Sequence, residues 1–305
     1  MDRREFLKKS ISLGLGASVL FIPKGLRGIV SKGLEAGEFP DLVAVKGGEL
    51  GAMFDRGMKT IGGMDRFVKK GQQVVIKPNM SWDVSPGGAA NTSPELLARI
   101  VKHCLDAGAK RVVVLDHSIE YWENSKKNSG LDDVIKSSGA VYAPSENNGY
   151  YQKIALQGRV LKETMIHESL LESDVLISAP VLKHHGGAGV SISAKGLMGC
   201  VWDRRGYHAN GLQSCIADFL LAKKPDLNII DANRVIVRHG PRGGSPDDIV
   251  DMGSLIISPD VVAADTAGSM MLGHKQGAIE HIRLAASAGL GEMDLSKLKI
   301  ERILS

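Results

Sequence analysis

An α/β fold, with a mainly parallel sheet and helices on both faces, is what this sequence predicts. Three observations support it. Short β-branched runs recur from about residue 41 onward, each bounded by turn residues. Amphipathic windows with clear start and stop signals lie between them. The two patterns alternate along the chain at the spacing of strand–helix units, which places helices on both faces of the sheet.

Taken in order, "DLVAV" (41–45) and "QQVVIKPN" (72–79) read as buried strands. "SPELLARIVKHCLDAG" follows, with Leu96, Leu97, Ile100, Val101, Cys104 and Leu105 on one helical stripe. Ser93 is its N-cap, Pro94 its first helical residue and Gly108 its stop. "KRVVVLD" (110–116) is the next strand. The polar stretch from about 118 to 170 reads as a small irregular insertion with short hairpins rather than a separate domain. "DVLISAP" (174–180), a helix over 211–224, and the runs "LNIID" (227–231) and "SLIIS" (254–258) complete the core. A final helix opens at Ser258-Pro259-Asp260 and puts Ala263, Ala267, Met270 and Met271 on one face. Residues 41–305 are thus expected to form a single α/β domain.

Ahead of it, "MDRREFLKKS" and an apolar run from Ile11 to Ile22 read as an export signal over residues 1–36, too short to span a bilayer. Arg3-Arg4 followed by Glu5-Phe6-Leu7-Lys8 resembles the twin-arginine signal, although Asp2 stands where a hydroxyl residue is usual. The resemblance implies the twin-arginine export machinery as a partner and a periplasmic or extracytoplasmic location. Composition excludes other classes. A net charge of +4 and 5% aromatic residues give no basic, aromatic-studded surface, so nucleic acid is not an expected partner. Cys104, Cys200 and Cys215 show no CxxC spacing and read as small interior residues.

In open parallel sheets, ligands bind beyond the carboxyl ends of the strands. Polar residues crowd at those ends here: Lys77-Pro78-Asn79, Asp116-His117-Ser118, Lys183-His184-His185, Asp231 with Asn233, and Asp260 with Asp265. The stretch "LKHHGGAGVSISAKG" fits neither a P-loop nor a dinucleotide fingerprint. Its glycines, Gly187 and Gly189 among them, are expected to form a backbone anion nest, with Lys183, Lys195, Lys77 and Asn79 supplying the rest of a substrate site. His185 is the expected proton carrier, with Asp116 orienting it. A divalent metal held by His185, His208, Asp116 and Asp231 is the companion expectation.

These residues, in this order, resemble the uncharacterised bacterial and archaeal family known as domain of unknown function 362, over about residues 42–300. The motifs are Lys77-Pro78-Asn79, Thr92-Ser93-Pro94, Asp116 with Ser118, Lys183 with His185, and Ser193-Ala194-Lys195 ending at Gly199. They continue with His208, Asp231, Gly240-Pro241 with Gly243, and Ser258-Pro259-Asp260 with Asp265. Many relatives have asparagine where this chain has Gly196. Many also carry a ferredoxin-like segment with cysteine-rich cluster motifs; this sequence contains none, so no iron–sulfur cluster is expected. The family is in turn distantly similar to the lactate-racemase catalytic family, a link that no motif in this chain carries. The expected function is an exported enzyme acting on a small anion, phosphate- or carboxylate-bearing, with or without a metal. A redox accessory or cofactor-carrying protein, and a non-catalytic extracytoplasmic binding protein, are the alternatives. Oligomeric state is not readable from the sequence.

Overall fold

The computed structural model describes residues 39–243 and 245–304. The expected export signal lies outside the described residues.

A ten-stranded sheet forms the centre of the molecule. Strand β1 (Leu42–Lys46) leads into helix α1 (Leu50–Thr60), then β2 (Gln73–Pro78), α2 (Pro94–Asp106) and β3 (Arg111–Val114). The 118–170 region is more regular than its polar sequence suggests. It holds α3 (Trp122–Asn128), α4 (Leu131–Ser138) and the short edge strand β4 (Val141–Tyr142), which extends the main sheet. A separate hairpin of β5 (Tyr151–Ala155) and β6 (Glu163–His167) follows, then the single turn α5 (Glu168–Leu171).

β7 (Val175–Ala179) runs through Pro180 directly into β8 (Val181–His185), which turns back as β9 (Gly189–Ser191). Then come α6 (Ser193–Gly196), α7 (Arg204–Ala209) and α8 (Leu212–Phe219), the last shorter than the 211–224 helix expected. β10 (Leu227–Ile236), β11 (Ile249–Ser258), α9 (Val261–Met271), α10 (Glu280–Ser287) and β12 (Ile300–Leu304) complete the chain.

Strand order is β12-β1-β11-β10-β7-β2-β3-β4, with β8 beside the second half of β10. All these pairings are parallel except those of β11, which runs antiparallel to both β1 and β10; β9 likewise reverses against β8. The side-chain alternation of each strand splits the core in two, as expected for a sheet covered on both faces. Val74, Ile76, Val112 and Ile177 pack with Met53, Phe54, Leu97 and Ile100 of α1 and α2. Val75, Val113, Leu176 and Ile230 pack on the other side with Ile216, Ala264 and Ile282 of α8, α9 and α10. Leu105, expected on the buried stripe of α2, is 36% exposed, because the stripe drifts off the sheet by the last turn.

The reversal of β11 corrects one expectation. Its C-terminal end, Ser258-Pro259-Asp260, faces the opposite sheet edge from the ends of β2, β3 and β7. The capping residue there is Asp260, whose Oδ1 accepts from the amides of Val262 and Ala263; Ser258 is still strand. Asp265 sits farther along α9 and accepts from the amides of Ser193 and Ala194 at the start of α6. It therefore acts on the site by fixing α6.

A cationic cleft as the candidate functional site

The carboxyl ends of β2, β3 and β7 lie side by side, so the loops after β2 and β3 and the continuation of β7 into β8 meet at one edge. Within β2, Lys77 shares a face with Val75, and at the strand end its side chain leaves the core for the cleft. Its Nζ lies 3.0 Å from Asp116 Oδ1 and donates to the Pro78 carbonyl at 2.6 Å. Both residues of this pair are almost wholly buried. Asp116 Oδ2 accepts from the Met80 amide at 2.6 Å and from Ser81 Oγ at 2.9 Å.

The loop from β2 to α2 folds over this edge and is pinned to it. The Asn79 amide donates to Thr92 Oγ1, Thr92 Oγ1 donates to the Ala179 carbonyl, and Asn79 Oδ1 accepts from the Val181 amide. These bonds leave Asn79 Nδ2 on the cleft side. Lys183, on β8, is buried and donates to the Ala90 carbonyl of the same loop. The β8–β9 hairpin then returns the chain to α6, and one turn of helix brings Lys195 into the cleft beside Gly196. Arg204 opens α7 and reaches the carbonyls of His117 and Ser118 at 2.5 and 2.7 Å.

Lys77, Asn79, Asp116, Lys183, His185 and Lys195 thus line one cleft, joined by Ser81, Ser191, Arg204 and Pro241, the last following a cis peptide bond. Its cavity volume is about 50 Å³, room for a few waters or one small ionic group. Four cationic side chains face a single carboxylate there. Burial, and then repulsion from Lys77 and Lys195, pull the Lys183 ammonium down to about 7, against a partial rescue by Asp116. Burial, followed by Arg204 and Lys77, brings Lys195 down to about 8. Desolvation likewise lowers Arg204. The structure holds like charges together at a cost that an anion in the cleft would offset.

The glycine stretch does something other than expected. Gly186–Ala188 form the hairpin turn between β8 and β9, and Gly189 pairs with His185 across it. The amides of Gly187 and Ala188 both donate to His185 Nδ1, at 3.1 and 3.0 Å. Those donors are therefore spent within the turn, and neither Gly187 nor Gly189 lines the cleft. Gly189 is needed for its backbone, at φ +78°, and because a Cβ there would meet Ile279 Cδ1 at 2.8 Å.

This turn also defines His185. With Nδ1 accepting two amides, the neutral ring carries its proton on Nε2. Burial and then the charge of Lys195 push its pKa down to about 3. His185 therefore presents a neutral N–H donor rather than the proton carrier expected from the sequence. Asp116 does not touch it in the role of an orienting partner, being committed to Lys77, Met80 and Ser81.

Nor does the expected metal set assemble. Asp231 lies within β10 and not at its end, because that strand continues past it to Ile236; it accepts from the Ser93 and Asn233 amides and opens on a separate cleft. His208 is exposed on α7, its ring 6.4 Å from that of His185. Among the described residues no three His, Cys, Asp or Glu side chains converge to hold a metal ion. All three cysteines are buried and free. Arg204 and Ser191 went unread in the sequence. Arg204 stands in a polar "WDRRGYH" segment where nothing distinguishes it from Arg205, which points to solvent.

Fold and cleft together define an α/β protein with a small cation-lined cleft at the carboxyl edge of a parallel sheet. The chain belongs to the family described as domain of unknown function (DUF362), which matches residues 74–270 and so contains every cleft residue named above. A thylakoid-associated protein of Synechocystis is 29% identical over 224 residues, covering 68% of this chain. The chain spans 65% of that relative's length. Among solved structures, lactate racemase apoprotein from Thermoanaerobacterium thermosaccharolyticum aligns at TM-score 0.49 and 17% identity, over 74% of this chain and 56% of its own. A Thermotoga maritima protein aligns at TM-score 0.47 and 10% identity, over 79% and 60%.

Proposed function

We propose that the protein binds a small phosphate- or carboxylate-bearing molecule in the cleft and acts on it as an enzyme. The observation that carries this reading is the convergence of Lys77, Lys183, Lys195 and Arg204 around one buried carboxylate in a space the size of a single ionic group. Lys77 and Arg204 are fixed by carbonyls, Asn79 and His185 add neutral donors, and Lys195 is left to meet the ligand. Such a set of preorganised donors would stabilise a negative charge that forms or persists during reaction. The carboxylate of Asp116 sets the position of Lys77 in that array.

Calorimetry with sulfate, phosphate and short carboxylates tests the reading. Lys195→Ala should weaken binding by about 10–100-fold, the loss of one charge-assisted hydrogen bond. Unchanged affinity in the variant, or no binding by the wild type, would refute it.

We also propose that the chain is exported by the twin-arginine route, on the strength of Arg3-Arg4 and the apolar run that follows.

A further inference from the structure

The three cleft lysines are not equivalent. Lys77 is held by Asp116 and the Pro78 carbonyl, and Lys183 by the Ala90 carbonyl. No hydrogen bond or ion pair ties the Lys195 Nζ among the described residues, although it lines the same cleft. Its backbone, by contrast, is firmly placed: α6 is anchored through the Asp265 carboxylate on the amides of Ser193 and Ala194. An amine on a fixed stem, without a partner and facing a space built for an anion, is placed to bond covalently to what enters.

We propose that Lys195 condenses with the carbonyl group of an anionic aldehyde or keto acid, forming an imine while the neighbouring cations hold the ligand's charged group. The proposal rests on the anion-site reading and names the ligand class more narrowly: one carbonyl carbon beside one carboxylate or phosphate.

The chemistry balances without a redox partner. The lone pair of the neutral amine attacks the carbonyl carbon, one nitrogen proton passes to the oxygen to give a carbinolamine, and loss of that hydroxyl with the second nitrogen proton as water leaves the C=N bond. Burial, with repulsion from Arg204 and Lys77, supplies the neutral amine near pH 8, which is how an enzyme makes a lysine nucleophilic. Lys183 is lowered further still, yet its amine is tethered by donating to the Ala90 carbonyl and the residue is 2% exposed against 9% for Lys195, so it is held away from an entering ligand. Geometry selects Lys195.

Reductive trapping tests this on the full chain. Glyoxylate and cyanoborohydride at pH 7.5 should place one carboxymethyl group on Lys195, located by peptide mass spectrometry. Its labelling should run at least about tenfold faster than that of exposed Lys110, because burial and cationic neighbours favour the neutral amine at residue 195. Sulfate should slow labelling of Lys195 and leave Lys110 unaffected. Lys195→Arg should abolish the fast adduct. Labelling of Lys195 no faster than that of Lys110, in protein that still binds sulfate, overturns the imine and leaves the anion site standing. Fast labelling at Lys183 also overturns it. Absence of both sulfate binding and fast labelling removes the anion site as well.

Discussion

A Cβ on Gly199 would fall 2.0 Å from Asp116 Oδ1 and 2.4 Å from Lys77 Cε. The buried ion pair at the base of the cleft therefore exists in its present geometry only because residue 199 has no side chain. The Gly199 carbonyl also accepts from the His117 amide, which locks the loop after β3 against this turn. Gly199→Ala should separate Lys77 from Asp116, lower the melting temperature and abolish sulfate binding. Thermal unfolding and calorimetry on the same preparation check this, and a variant with wild-type values for both would show that the pair is not confined in this way.

Gly196 is the contrasting case. A Cβ there meets only Asn79 Nδ2 and Pro180 Cβ, each at 3.9 Å, which is ordinary contact. Gly196→Asn should fold with an unchanged melting temperature, while its amide enters the cleft and alters which anions fit. The check is a ratio of affinities for sulfate and a bulkier dicarboxylate, expected to shift in favour of the smaller ion.

Asp116 is the only carboxylate among the cleft-lining residues. Asp116→Asn leaves Lys77 charged, buried and without its counterion. Breaking a buried pair on one side costs about 3–5 kcal/mol, and denaturant unfolding should show a loss of that order. Lys195→Met should behave oppositely, because it removes an unpaired buried ammonium that its neighbours repel. Its midpoint should stay at or above that of the wild type.

Binding should depend on pH through the two lowered lysines. Lys183 and Lys195 carry charge below about 7 and 8 respectively, and lose it as pH rises through those values. Sulfate does not titrate in this range, so its affinity should fall by at least about tenfold between pH 7 and pH 9. The sign for stability of the free protein is reversed. Between about pH 8 and the ordinary lysine range the unfolded chain binds a proton at residue 195 that the folded chain does not, so that group adds stability as pH rises. In sulfate binding His185 contributes no step near pH 6, being neutral down to about 3. In stability it does, because below the ordinary histidine range the unfolded chain takes up a proton at residue 185 that the folded chain does not, and stability falls as pH falls.

Export is tested by replacing Arg3 and Arg4 together with lysine, which preserves charge and removes the pair that the receptor reads. Cell fractionation should find the double variant in the cytoplasm. Normal accumulation outside it would contradict the export assignment.

Much of this site could be read in the sequence because parallel strands announce their carboxyl ends. The runs ending at Lys77-Pro78-Asn79 and at Asp116 are apolar until the edge, and their polar ends fall in the cleft, whereas the chain beyond Ala179-Pro180 reaches it only at Lys183, after two apolar residues of β8. Strand direction was not legible: "SLIIS" has the same β-branched composition whichever way it runs, so the reversal of β11 and the removal of Asp260 to the far edge left no trace. The run of glycines was ambiguous for a related reason. Glycines permit an anion nest and a hairpin turn alike, and His185 decides between them by accepting the very amides a nest would need. Asp231 looked like a strand end because Ala232–Arg234 carries a register shift that interrupts the apolar run without ending the strand.

The most direct measurement is a crystal structure of the full chain grown with selenate, whose anomalous signal marks the anion without reference to protein density. The expected result is one selenate within hydrogen-bonding distance of Lys195 Nζ, flanked by Lys183 and Arg204, and lost in Lys195→Ala crystals. Selenate elsewhere on the surface, with only water in the cleft of well-ordered wild-type protein, would contradict an anion-binding role for Lys77, Lys183, Lys195 and Arg204.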